Sequence, residues 1–125
     1  MKITMSMSKG AYTIAKKVYS KQISLSDAKL EINKLTGMSV GSAHAFLTIF
    51  LAMMNGEVYK RAFNNPTNKF LLESIERDFG EEYLKKALNA AQQHIEYYST
   101  LGKGNLTGLQ QIVDEIQRNR LISNK

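Results

Sequence analysis

The stretch Ser39-Val40-Gly41-Ser42-Ala43-His44-Ala45-Phe46-Leu47-Thr48-Ile49-Phe50-Leu51-Ala52-Met53-Met54 decides the fold. Ser39 suits a helix cap, because its hydroxyl accepts one of the backbone N–H groups that a first turn leaves unpaired. The residues after it read as a helix that is apolar on nearly all sides, led by Phe46, Leu47, Ile49, Phe50 and Met53. Such a helix is buried all round. The surrounding charge-free run, residues 35–56, spans 22 residues, but Thr36, Gly37, Ser39, Gly41 and Ser42 interrupt its first third. Its continuous apolar part, residues 43–54, falls short of the roughly 20 residues that cross a bilayer. The reading is a central helix wrapped by other helices, with no membrane contact.

Working outward, the neighbouring segments supply those helices. Residues 9–21 predict a first helix with Ile14, Val18 and Ala15 inward. Ser24 or Ser26 caps a second, with Leu30, Ile32 and Leu35 inward and Gly37 as its stop. Residues 55–65 read as a short helix or a loop. Asn65-Pro66 then reads as cap and first helical position of a fourth helix, with Phe70, Leu71, Ile75 and Phe79 inward and Gly80 at its end. Glu81 and Glu82 open a fifth, where acidic groups suit the positive end of the helix dipole. Its stripe is Leu84, Ala87, Leu88, Ala91, Ile95 and Tyr98. Gly102 and Gly104 flank a basic turn, and residues 106–121 make the last helix, with Leu109, Ile112, Val113 and Ile116 on one face. The expected fold is all-α, one compact bundle of about six helices in a single domain over residues 1–125, with residues 119–125 fraying.

Composition agrees with a globular domain: 125 residues, 43% hydrophobic and 22% charged. With no cysteine there is no disulfide framework and no thiolate metal site. The start of the sequence lacks the apolar run of a secretory signal, and the expected compartment is the cytoplasm. The formal net charge is +6. Residues 1–62 hold nine Lys or Arg against three acids, whereas residues 63–125 hold eight of each, so the whole excess lies in the first half.

That excess defines the candidate contacts. Lys9, Lys16, Lys17 and Lys21 recur at helical spacing, and such a face either tracks phosphates or is simply solvated. Tyr59-Lys60-Arg61 sets a basic pair beside an aromatic ring, which suits phosphate contact with base stacking. The alternative places Tyr59 in the core and pairs Arg61 with Glu57 four residues earlier. The nucleic-acid candidates are therefore Tyr59, Lys60, Arg61, Lys16, Lys17 and Lys21. The segment around Thr36-Gly37-Met38-Ser39 has the outline of a helix-turn-helix, but the helix after the turn offers a groove only Ser42, His44 and Thr48, which argues against groove reading.

Catalytic patterns are missing from the sequence. The two histidines, His44 and His94, belong to no H-E-x-x-H set, and no P-loop, G-x-S-x-G or EF-hand occurs. The acids Glu73, Glu76, Asp78, Glu81 and Glu82 read as outward solubilising groups. No catalytic residue, metal site or cofactor is expected.

Leu35-Thr36-Gly37, Gly41-Ser42-Ala43, Phe50, Gly56-Glu57, Tyr59-Lys60-Arg61, Phe70-Leu71, Ile75, Phe79-Gly80 and His94-Ile95-Glu96-Tyr97-Tyr98 follow in an order that resembles the helical N-terminal module of bacterial restriction endonucleases of the HNH type. The resemblance covers about residues 30–101. In that family a nuclease domain with a His-Asn-His metal motif follows, and this sequence contains none. The resemblance implies an accessory role, engaging DNA or a nuclease partner without cleavage, in a restriction, defence or mobile-DNA setting. Carried over by position, it singles out Tyr59, Lys60, Arg61, His94 and Tyr98. His94, Tyr97 and Tyr98, with Ser42, form a second candidate group, either binding or closing a polar network in the bundle. The alternative function is a protein-interaction module, a homodimer or regulator, using Met5, Met7, Met53 and Met54.

Overall fold

The computed structural model describes residues 3–102 and 104–123, with side chains as far as Asn119 in the last helix. It has six helices: α1 (Met5–Tyr19), α2 (Leu25–Thr36), α3 (Val40–Asn55), α4 (Asn65–Phe79), α5 (Glu81–Ser99) and α6 (Thr107–Ser123). No strand occurs among the described residues. The all-α bundle matches the expectation drawn from the apolar helix.

Local chemistry sets the boundaries. Thr4, Ser24, Ser39 and Asn64 each turn a side-chain oxygen onto a backbone N–H of the helix that follows. The α4 cap is Asn64, not Asn65, and α1 begins four residues earlier than its periodicity predicts because Thr4 caps it. Gly37 and Gly56 close α2 and α3 in the left-handed conformation that glycine adopts without a Cβ penalty. Residues 57–64 form no helix. Gly102 and Gly104 also have positive φ, but Lys103 between them lies outside the described residues, as do residues 124 and 125. Residues 119–123, expected to fray, continue α6.

Helix α3 is the core. Phe46, Leu47, Phe50, Met53 and Met54 are fully buried, each worth about 1.5–3 kcal/mol over an exposed side chain. It packs on α1, α2 and α5, while α4 packs on α1, α5 and α6. Helix α1 runs parallel to α4: Ser8 meets Thr67 near their starts, Tyr12 reaches Ser74 and Asp78, and the Tyr19 ring meets Phe79 at their ends. No single helix among the described residues is long and apolar enough to cross a membrane, and α2 and α3 bend by 119° at their junction.

One face departs from expectation. Leu30 and Leu35, predicted inward on α2, are each 60% exposed. Ile32 is buried as expected, and Ala28 is the residue that shares its inner face. Helix geometry gives the reason: Ala28 and Ile32, four apart, share a face, whereas Leu30, two residues from Ile32, lies on the opposite side. Leu35 stays at the edge, its Cδ2 3.6 Å from where a Cβ on Gly10 of α1 would sit.

Candidate functional site

The sequence-predicted residues separate into two places. The first is the outer face of α1. Lys9, Thr13, Lys16 and Ser20 follow at helical spacing, Lys17 stands beside them, and α1 contains no acidic residue. Between this face and the end of α4 lies an open groove of about 580 Å³ lined by Thr13, Lys16, Lys17, Ser20, Gln22, Asp78 and Phe79.

One wall of the groove is a tight polar knot. The Tyr12 hydroxyl donates to Asp78 Oδ2 at 2.8 Å and to the Ser74 carbonyl at 3.1 Å. Lys16 Nζ reaches the same Oδ2 at 3.2 Å and lies 5.0 Å above the Tyr12 ring. Arg77 grips both Asp78 oxygens at 3.0 Å. The Arg77 guanidinium, helped by Tyr12 and Lys16, holds the Asp78 carboxyl well below the usual carboxylate range. Burial, then the Asp78 carboxylate, pushes the Tyr12 phenol up. Lys16 is therefore a paired cation, whereas Lys9, Lys17 and Lys21 are exposed. Lys21 ends the α1 turn at φ 64, rare for a residue with a side chain.

The second place is the segment after Gly56, which lies along α5. The Gly56 carbonyl accepts from Gln93 Nε2 at 3.1 Å and Asn89 Nδ2 at 3.4 Å. Tyr59 stacks on His94 with ring centres 4.3 Å apart and planes 18° off parallel. His94 Nδ1–H donates to the Tyr59 carbonyl. That bond fixes the neutral tautomer, and burial keeps the imidazole from protonating as readily as it would in water. Tyr98 packs obliquely on His94, and Lys60 Nζ sits 5.5 Å over the Tyr97 ring.

This geometry corrects three expectations. Tyr59, proposed as a base-stacking platform, is only 5% exposed and has one ring face on His94, so its ring is unavailable to a nucleobase. The mutual polar network of His94, Tyr97, Tyr98 and Ser42 is instead a set of separate contacts. His94 bonds to the Tyr59 backbone, Tyr97 takes Lys60, and Ser42 Oγ accepts from Ser39 Oγ at the cap of α3. Among the described residues, Arg61 is exposed and makes no ion pair with Glu57, because the chain there is not helical. The Met set also divides: Met53 and Met54 are core residues, Met7 is half-buried, and Met5 alone is exposed.

Nor do the basic groups form one patch. Tyr19 and Tyr83 share a hydrogen bond where α1 ends, whereas Tyr59 and Lys60 meet α5 at His94 and Tyr97. Tyr83 and His94 stand roughly 16 Å apart along α5 by the helical rise. The groove beside Asp78 is the feature that sequence reasoning missed. Its one signal was Lys16 at helical spacing, with no hint that α4 would lie parallel to α1.

No group of His, Asp or Glu able to hold a metal ion is found among the described residues. No family model, curated protein or solved structure matches the chain.

Proposed function

We propose that this chain is a non-catalytic helical module that engages duplex DNA through the outer face of α1, in the restriction or defence setting that the family resemblance implies. The observation carrying this reading is a helix face with Lys9 and Lys17 exposed, Lys16 beside them paired to Asp78, and no acid of its own. Lysines positioned this way contact phosphates as point charges and release condensed counterions. Thr13 and Ser20 spend their hydroxyl protons on the Lys9 and Lys17 carbonyls, so the lysines carry the phosphate contact, which positions a duplex without reading its sequence. Asp78 does not cancel the face, because its charge is taken up by Arg77 as well as Lys16.

Titration of labelled duplex at several salt concentrations tests the reading. Binding should weaken as salt rises, and each of Lys9→Ala and Lys17→Ala should reduce the log–log slope by about 1 while weakening all sequences alike. No binding at low salt, or a flat slope, rules the proposal out.

A second reading, a protein-interaction module, is favoured by a different observation: the two leucines exposed on α2.

A further inference from the structure

Helix α2 carries an outward depression of about 590 Å³ lined by Leu30, Glu31, Lys34 and Leu35. Leu30 and Leu35, each 60% exposed, are more exposed than the other exposed large hydrophobic side chains among the described residues, Met5, Val40, Val58 and Leu101, which lie at 38–43%. The four residues occupy positions i, i+1, i+4 and i+5, which ring a single hole on a helix surface. Their order, apolar, acidic, basic, apolar, reads as its own complement when reversed. Among the described residues neither Glu31 nor Lys34 has an ion-pair partner within the chain, although both are exposed. Helix α2 as a whole is neutral, with Asp27 and Glu31 against Lys29 and Lys34, so the +6 of the chain is not concentrated on this face.

We propose that α2 is a homodimer interface, pairing antiparallel with α2 of a second copy about a two-fold axis between Ile32 and Asn33. In an isologous contact, if residue i meets residue j, then j meets i. With the axis there, Leu30 meets the partner's Leu35, and Glu31 meets the partner's Lys34, each twice. A second copy is the occupant because both the apolar and the charged pairs close with no other chemistry required. A parallel pairing would instead set Glu31 against Glu31 and Lys34 against Lys34. One helix face covers less than the ~800 Å² per partner of a standard interface, so the dimer is weak and concentration-dependent. The depression opens beside α1, since Leu35 Cδ2 lies 3.6 Å from where a Cβ on Gly10 would sit. Dimerisation therefore brings two lysine faces into one particle, and a duplex spanning both would be held by avidity.

The test is the mass of the full chain by sedimentation and light scattering, without nucleic acid, over about 5–500 μM. The result is thus independent of the DNA reading. The mass should rise from 14.1 kDa toward twice that value. Glu31→Lys alone and Lys34→Glu alone should each shift the midpoint at least tenfold toward monomer, by setting like charges opposite one another. The double swap Glu31→Lys with Lys34→Glu should restore the dimer. All four positions are exposed, so circular dichroism should be unchanged in each variant. A monomer throughout overturns the proposal and leaves the face to a different protein. A dimer indifferent to the single swaps, or one not restored by the double swap, overturns the antiparallel α2 pairing.

Discussion

Tyr12 and Tyr59 sit in similar company and do opposite work. Each is buried, and each has a lysine on or next to it in sequence. Tyr12 lies edge-on to Phe50 and Phe70 at 5.7 Å, and its hydroxyl emerges at the groove to meet Asp78. Tyr59 lies flat on His94, and its hydroxyl is buried with no hydrogen-bond partner among the described residues. The first tyrosine joins the core to a charged surface; the second pins an irregular segment to α5 by its ring and its carbonyl. The contrast teaches that an aromatic residue beside a basic one does not mark a nucleic-acid site until the ring is known to be reachable.

Removing each ring or hydroxyl in turn tests that contrast. Tyr59→Ala should have the largest effect, a loss of about 3–5 kcal/mol in urea unfolding, because it removes a large buried ring and opens a cavity against His94. A loss below about 1 kcal/mol would show that the stack is dispensable. Tyr12→Phe should cost about 1–2 kcal/mol by removing the donor to Asp78 and Ser74. Acid should act on the second region through His94. Its folded pKa lies below the ordinary value of 6.5 because it is buried, so the unfolded chain binds the proton more readily. The stability His94 contributes is complete above about pH 6.5 and is lost as pH falls below it. The urea midpoint should therefore drop from pH 7.5 to pH 5.5, and less so in His94→Leu. Tyr59→Phe should change stability by less than about 0.5 kcal/mol, since the hydroxyl it removes has no acceptor among the described residues. The smallest effect is expected from Arg61→Ala, exposed at the surface: an unchanged melting temperature, and a smaller loss of DNA affinity than Lys17→Ala.

The order of helices was legible because its punctuation is local. Ser24, Ser39, Gly37 and Gly80 act through backbone chemistry within one turn. The core position of α3 followed from an apolar surface that leaves no choice of face. The inner face of α2 is legible only through the Ala28–Ile32 spacing of four, because Leu30, two positions from Ile32, falls on the other side of the helix however apolar it is. The early start of α1 was hidden because Ser8, a polar residue, holds a core position by bonding to Thr67. Leu72, fully buried, escaped the α4 stripe for a related reason: α4 is covered by α1, α5 and α6, which widens its buried arc. As for the candidate site, the charge excess was readable, but its division was not, because the parallel pairing of α1 with α4 is a tertiary fact.

That parallel pairing also has a kinetic side. Ser8 and Thr67 are 59 residues apart in sequence, and Tyr12 and Asp78 are 66 apart. Adjacent parallel helices cannot be joined by a short turn, so α1 docks on α4 only after the intervening chain has been threaded and closed. On a ribosome, α1 is made before its partner exists. The groove beside Asp78 is thus completed late, and the lysine face cannot be presented in its final form by a half-made chain.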